Sequence, residues 1–385
     1  MPHETVLAKA RQFLEGLLQS KPGVTPGCSN DRETAPMIDN QEQIADRGST
    51  AMQAGRDIVV TNGLTYSDVR EVALDIFRSN FFQLAGIARD TATQRAEQIT
   101  EAFLTRLEEE HPQGFSQANE PGFQHALYTV QREHARTGDA NLGDLLVDLL
   151  VDRSKHEQRD ILQIVLDESL ATAPKLTEGQ LAALSLAFLF RYTQNYGVGD
   201  HAALGEYLDK HARPFVANVS RNAASFQHLE FTGCGSVGLS QLSLETILGT
   251  VYQGQFLKGF EVADISERKV SVGLDPRLFI KCLNDPGKVQ VRANSHENLD
   301  KLMEQTSIPA EDRPRIKGLF DHNKMSDEEL RAKTVEIRPY MAELFDAWTS
   351  SPLKQLTLTS VGIAIGHANV KRLVGEFTDL STWIN

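Results

Sequence analysis

Apolar residues recur at helical spacing along most of this chain, and the clearest exception is a short stretch near its start. Between residues 52 and 61, most apolar side chains share one parity and polar side chains share the other, which is typical of a half-buried β-strand. The apolar face of this predicted strand comprises Met52, Ala54, Ile58 and Val60. Asn62-Gly63 then favours a turn, because both residues tolerate positive φ.

A long helix is predicted directly after this turn. Thr65 and Asp68 form a capping-box pattern, so a helix should begin at about Tyr66. No proline interrupts it before Pro112, and a continuous helix would be roughly 65 Å long. Such a helix either packs on its own domain or joins subunits. In the second case, the interface would combine the strand face with Ile76, Phe77, Phe81 and Leu84.

The rest of the pattern predicts a mainly α fold with five regions. These are a short helix and flexible linker at 1–47, a strand plus long helix at 48–110, a helical core at 111–213, a small α+β subdomain at 214–295 and a C-terminal helical region at 296–385 that packs on the core. Within the small subdomain, the pattern predicts strands at 215–219, 228–231, 269–272 and 288–292, and helices at 240–257 and 276–283.

Two helices of this pattern should pack on each other. The segment 181–190 is apolar nearly all round, which is typical of a helix that is buried on every side. A final helix at 357–376 carries Gly362 and Gly366 four residues apart, which permits close approach of a second helix. Trp383 and Ile384 should fold back and dock the chain end.

Composition and charge narrow the function classes. A formal net charge of −13 disfavours a broad nucleic-acid surface, which needs clustered lysine and arginine. The three cysteines lack metal or disulfide spacing, which suits a reducing cytoplasm. The longest apolar run is about half of a bilayer span, and the charged first helix does not resemble a signal peptide. We therefore expect a cytoplasmic protein without constitutive membrane association.

A glycine-rich turn is the strongest candidate for chemistry. Gly233, Gly235 and Gly238 match the G-x-G-x-x-G spacing of dinucleotide sites, which hold a pyrophosphate at a helix N-terminus. Cys234 lies in the same turn, six residues after His228, and a thiolate there would be a nucleophile. The simpler interpretation is a structural turn with a buried cysteine. No histidine pair has tight metal-ligand spacing, so we expect neither cofactor nor metal.

Three patches together carry a resemblance. Residues 53–97, 226–237 and 356–384 resemble a family of uncharacterised bacterial proteins, for which we know of no assigned catalytic residues. Separately, the segment "AGRDI" followed by a helix looks like the N-terminal segments of varied bacterial conflict and phage-defence proteins. The resemblance implies a bacterial cytoplasmic protein with a role in defence.

The functional hypothesis is therefore a non-enzymatic protein that self-assembles and acts as a sensor or scaffold in anti-phage defence. Its expected partners are further copies of itself and another defence or phage protein. One alternative is a nucleotide-dependent or cysteine-based enzyme that uses the turn at 228–240. The other is a membrane-acting effector that releases the apolar helix at 181–190.

Overall fold

The computed structural model describes residues 64–80, 86–375 and 377–384, all within one compact unit, Thr61–Asn385. Helices dominate this unit, as the sequence predicts. The first five helices are α1 (Tyr66–Asn80), α2 (Ile87–Glu110), α3 (Pro121–Thr137), α4 (Ala140–Ser154) and α5 (Ile161–Thr172). Each contacts the next along the chain, and α4 also contacts α2. The predicted strand at 52–61 lies outside the described residues.

The prediction of one continuous helix from residue 66 to residue 110 is wrong. Helices α1 and α2 lie side by side, because Tyr66 hydrogen-bonds to Glu101 and Arg78 forms an ion pair with Glu97. Gly86 directly precedes α2 and has a positive φ of 59°. Glycine tolerates positive φ better than any other residue. Buried apolar residues of both helices, such as Val69 of α1 and Phe103 of α2, belong to the protein's own core.

Helix α6 (Glu178–Tyr192) begins with a capping box between Thr177 and Gln180. Every residue from Gln180 to Phe190 is buried, which confirms the prediction of a helix that is covered on all sides. An uninterrupted apolar surface can be removed from water only when neighbours surround the helix completely.

The next segment supplies part of that cover. It contains α7 (His201–Tyr207), a π-helical turn (Leu208–Ala212), α8 (Arg213–Val216), α9 (Ala223–Phe231), β1 (Gly235–Val237) and α10 (Leu244–Val251). The predicted strands at 215–219 and 228–231 are wrong, because the first span is the end of α8 and a turn and the second lies within α9. Asn222 caps α9 by accepting a hydrogen bond from the Ala224 amide, a local signal that outweighs the apolar spacing.

A second, smaller hydrophobic cluster lies between residues 257 and 320. It is built by α11 (Val262–Glu267), β2 (Phe279–Lys281), β3 (Val289–Val291), α12 (His296–Gln305) and α13 (Arg313–Phe320). Strands β2 and β3 pair antiparallel, with Ile280 opposite Gln290. The strand predicted at 288–292 is confirmed, whereas the helix predicted at 276–283 contains β2 and the strand predicted at 269–272 is a turn.

The chain then returns to the main core. Its last elements are α14 (Asp327–Ile337), α15 (Met341–Ser350), β4 (Leu356–Leu358) and α16 (Ser360–Val374). Strand β4 pairs antiparallel with β1, so that Ser236 lies opposite Thr357. This pairing joins the glycine-rich turn to the C-terminal helix across more than a hundred residues of sequence.

Helix α16 packs closely on α6, as the glycine spacing predicts. A Cβ at Gly366 would lie 2.9 Å from the Leu184 carbonyl oxygen, and a Cβ at Gly362 would clash with the Cys234 carbonyl oxygen. The same helix contacts α4, α5 and α6, so it joins α4 and α5 to the buried helix α6. Leu380 and Ile384 are buried beyond it, so the prediction of a docked chain end is confirmed.

One carboxylate in this core is poorly compensated. Asp148 of α4 has only 1% side-chain exposure and forms an ion pair with Arg106 of α2. Its Oδ2 has no hydrogen-bond partner. Burial raises the pKa of this carboxyl to about 6, although the positive charges of Arg106 and Lys371 oppose the rise.

We predict that Asp148→Asn becomes more stabilising, relative to the natural chain, as pH rises. Because the folded pKa lies above the ordinary value of 3.8, the folded state binds the proton more tightly, and the natural protein loses stability as pH rises through this window. The difference in unfolding free energy should shift by about 2 kcal/mol in favour of the variant between pH 4 and pH 7. Urea unfolding across this range measures the shift.

Asp312→Asn is the matched control, because Asp312 is also buried. Burial alone would raise its pKa, but hydrogen bonds from Ser271, Arg315 and the Val272 amide hold the pKa below the ordinary value. The control should therefore lose stability relative to the natural chain as pH rises. If the difference in unfolding free energy between Asp148→Asn and the natural chain does not change with pH, burial does not raise the pKa of Asp148.

Candidate functional site

A cavity of about 960 Å³ lies at the C-terminal end of α6. Its wall comes from four parts of the chain: the end of α6 with residues 193–197, the π-helical turn, the end of α10, and residues 377–383. We call it the aromatic cavity after the rings that line it: Phe190, Tyr192, Tyr196, Tyr207, His211, Phe377 and Trp383.

The rim of the aromatic cavity forms where α6 stops. Thr193 adopts an extended backbone conformation, and its hydroxyl donates back to the Leu189 carbonyl, so the helix ends there. Asn195 then accepts a hydrogen bond from the Gly197 amide, which makes a tight turn. The Asn195 amide donates to the Tyr252 hydroxyl just after α10, which fixes this turn against the core.

A second wall is the π-helical turn between α7 and α8. Pro214 has no N–H to donate to the Lys210 carbonyl, which interrupts the α-helical hydrogen-bond ladder here. His211 consequently lies with its ring 4.7 Å from the Tyr207 ring and 6.2 Å from the Phe377 ring. Burial lowers the pKa of His211. Single π-helical turns within helices frequently occur at functional sites.

The third wall is the C-terminal segment. The Trp383 indole N–H donates to the Tyr192 carbonyl over 2.7 Å, and its ring packs edge-on against Phe188 of α6 at 4.9 Å. The Phe377 and Trp383 rings are nearly parallel, 6.1 Å apart. His367 of α16 has its Nε2 2.7 Å from the Thr378 carbonyl. The chain end is therefore held by specific contacts, and it holds two aromatic rings against the cavity.

One cation, Arg191, also lines the aromatic cavity. Its guanidinium donates to the Lys354 carbonyl and lies 5.8 Å from the centre of the Trp348 ring. Its Nε has no hydrogen-bond partner, and burial lowers its pKa. The cavity thus combines aromatic faces, side-chain amides and hydroxyls, and one positive charge, within the size range of small-molecule sites.

The glycine-rich turn does not have the geometry of a dinucleotide site. A helix, α9, precedes it and a strand, β1, follows, which is the reverse of the strand–turn–helix order that places a pyrophosphate at a helix N-terminus. Gly233 has a φ of 75°, and Gly235 lies within β1. A Cβ on Gly235 would lie 2.7 Å from the Thr357 carbonyl oxygen. These two glycines therefore serve the turn and the close approach of β4.

Cys234 and His228 do not form a nucleophile–base pair in this geometry. The Cys234 side chain is fully buried, and burial raises the pKa of its thiol. Its hydrogen-bond contact is the Thr232 hydroxyl at 3.5 Å, whereas Nδ1 of His228 lies 3.0 Å from Nε2 of Gln180. A raised thiol pKa reduces the thiolate that a nucleophile requires.

Two of the eight predicted interface residues are described. Phe77 is buried in a cluster with Ala92, Ala96 and Ala135 of its own chain, and Ile76 is half-buried. The others, Met52, Ala54, Ile58, Val60, Phe81 and Leu84, lie outside the described residues. Self-association through this segment stays a prediction.

Among the described residues, no cluster of three or more His, Cys, Asp or Glu side chains is placed to hold a metal ion. No helix among the described residues has the length and apolar character that crossing a bilayer requires.

The aromatic cavity was not predicted from the sequence. Its rings come from positions 190–211 and 377–383, which share no motif or spacing. A usable signal was the cluster of aromatic and amide side chains in "RYTQNYG" (191–197), directly after a helix that is apolar on every side. Only the docking of the chain end shows that this cluster faces a second aromatic group.

Comparison with known proteins places the chain in a family. A family model for uncharacterised proteins matches residues 63–384, and the chain belongs to this family. The "AGRDI" segment lies outside the match. Searches of curated proteins and of solved structures found no match.

We predict that Gly235→Ala destabilises the protein by about 1–3 kcal/mol, because the new methyl group would press on a backbone oxygen that cannot move freely. Gly238→Ala is the matched control, since its nearest atom would be 4.0 Å away. Urea unfolding measures both. Equal stability of the two variants would contradict the structural role of Gly235. A thermal shift with NAD that is lost in Gly235→Ala would restore the dinucleotide hypothesis.

Proposed function

We propose that this protein is a non-enzymatic binding protein that holds a small molecule in the aromatic cavity and self-associates through its N-terminal segment. Small-molecule sites are concave, mostly apolar and supplied with a few oriented polar groups. The aromatic cavity has these features, and this observation carries the proposal. Its rim also bears fixed polar groups, since the Asn195 turn is tied to the core by Tyr252.

The position of the aromatic cavity supports a sensing role. Its wall includes the chain end, which leaves α16 after Gly375, a residue with a φ of 90°. A ligand that contacts Phe377 and Trp383 would stabilise this segment, because it binds only when both rings are in place. Since α16 contacts α4, α5 and α6, a change at the chain end can reach both halves of the core.

Self-association remains the second part of the proposal. The predicted strand at residues 52–60 would have unpaired backbone N–H and C=O groups. Identical strands of further copies can hydrogen-bond to these groups around a symmetry axis. Among the described residues, Ile87 at the start of α2 is an exposed apolar side chain (85%) near the same segment of sequence. The role in bacterial anti-phage defence, implied by the "AGRDI" resemblance, belongs to this part.

The membrane-effector alternative has less support. It requires release of residues 181–190, and these side chains have between 0 and 9% exposure. Full burial of each leucine or phenylalanine is worth about 1.5–3 kcal/mol, so extraction of the whole helix would dismantle the core. No observation on the described residues favours such a release.

We predict that 8-anilinonaphthalene-1-sulfonate, a fluorescent probe of apolar cavities, binds the folded protein at one saturable site. Thr382→Phe should weaken its affinity by about tenfold or more, because Thr382 lines the aromatic cavity and the larger side chain narrows it. Fluorescence titration measures the dissociation constants.

Ser381→Phe is the matched control, since the neighbouring residue is also exposed but does not line the cavity. Its affinity should equal that of the natural protein. Equal binding by Thr382→Phe, Ser381→Phe and the natural chain would place the probe elsewhere and would count against the aromatic cavity as a ligand site.

We predict that Ile58→Asp dissociates the oligomer, because a buried and unpaired charge in a subunit contact costs several kcal/mol. Gln53→Asp is the control, since Gln53 belongs to the opposite face of the predicted strand. Light scattering on the full chain measures the mass. A fragment that starts at residue 112 would be less informative, because it lacks α1 and α2, which contribute to the core. An unchanged mass for Ile58→Asp would refute assembly through this strand.

The defence role has its own measurement. Plaque counts on bacteria that express the natural chain should fall relative to cells that express Ile58→Asp, whereas Gln53→Asp should protect as the natural chain does. Equal plaque counts for the natural chain and empty cells, over a broad phage panel, would remove defence from the proposal.

A further inference from the structure

We propose that the ligand of the aromatic cavity is a small aromatic carboxylate whose negative charge pairs with Arg191. This inference rests on the proposed function, because it assigns a chemical class to the ligand of the same cavity. It depends on the contacts of Arg191, on a comparison with the ion pairs of Arg153 and Lys371, and on the rings that surround the cavity.

Two enclosed cations in this protein have carboxylate partners. The Arg153 side chain, only 4% exposed, pairs with Asp167, and Lys371 pairs with both Glu110 and Asp152. Pairing is expected, because a cation that is withdrawn from water loses hydration that a nearby anion must replace.

Arg191 differs from these two cations and resembles Arg372, whose guanidinium contacts the side-chain oxygens of Asn369 and Asn141. Among the described residues, no carboxylate forms an ion pair with it, and its protein hydrogen bonds run to the backbone carbonyls of Leu353 and Lys354. Its Nε–H is buried without an acceptor. The guanidinium thus brings to the wall of the aromatic cavity a positive charge whose contacts are two backbone carbonyls and the face of the Trp348 ring, and a bound anion would add an oppositely charged partner.

The number of charges selects a carboxylate. One guanidinium balances one negative charge, and a carboxylate carries one charge at neutral pH with two oxygens that match the guanidinium fork. A phosphate monoester carries close to two charges, which a single arginine does not balance.

The lining selects an aromatic ring. Phe377 and Trp383 present two nearly parallel rings, while Tyr207 and His211 form a further ring pair that contacts Phe377. Aromatic pairs gain about 0.5–1.5 kcal/mol beyond the burial of their area. A rigid ring also loses less conformational entropy on binding than a flexible aliphatic chain.

The test is isothermal titration calorimetry on the full chain with four probes of related shape. These are 2-naphthoate, the neutral 2-naphthamide, the cationic 2-naphthylmethylammonium and the non-aromatic cyclohexanecarboxylate. We expect 2-naphthoate to bind at least about tenfold more tightly than each of the other three, as loss of a charged hydrogen bond or of ring contacts requires.

Variants assign the preference to Arg191. Arg191→Gln should reduce the affinity for 2-naphthoate to that for 2-naphthamide, and Arg191→Lys should retain part of the preference because it keeps the charge without the fork. Arg372→Gln is the matched control: Arg372 is also half-buried with a pKa lowered by burial, but it does not line the aromatic cavity. Circular dichroism confirms that each variant is folded, and if Arg191→Gln is not, Arg191→Lys and the probe series decide.

The outcomes separate the two proposals. Binding of none of the four probes would count against the aromatic cavity as a small-molecule site, and hence against the proposed function. Equal binding of the three naphthalene probes would preserve that function and overturn the assignment of a carboxylate. A preference for 2-naphthoate that Arg191→Gln and Arg191→Lys leave unchanged would likewise overturn the role of Arg191.

Discussion

Complete burial of α6 is the constraint on which the rest of the structure depends. A helix that is apolar on all faces must be surrounded, and α8, α9, α10, β4 and α16 all contact it. Small residues make the tightest of these contacts possible, because Gly366 lets α16 approach the Leu184 carbonyl. Elements from distant parts of the sequence are therefore gathered around one helix.

The aromatic cavity follows from the way this arrangement ends. Helix α6 stops at Tyr192, and the cavity lies beyond its last turn. Aromatic rings from the π-helical turn and the chain end line this space. The same contact that docks the chain, the Trp383 indole on the Tyr192 carbonyl, also closes one wall. Stability and ligand binding are thus linked through one segment.

Charges inside the protein fall into two groups. Some enclosed cations have carboxylate partners, and these pairs join helices, as Lys371 of α16 joins α2 and α4 through Glu110 and Asp152. Asp148 and Arg191 are less well compensated, because burial raises the pKa of the first and lowers the pKa of the second. Unbalanced groups of this kind cost stability, and they are found disproportionately at functional sites.

The sequence by itself determined the local elements with strong signals. The all-apolar surface of α6 and the glycine spacing of α16 predicted a buried helix pair, and the structure confirms it, with Gly366 at the contact. Where a short apolar run could be helix or strand, local spacing failed, as at 228–231 and 276–283, because an Asn cap or a distant strand partner decided the outcome. The packing of α1 against α2 and the aromatic cavity follow only from tertiary contacts. At the cavity, Trp383 contacts Tyr192, which is 191 positions away in the sequence. No local sequence pattern encodes such a contact, because it exists only after the core has formed.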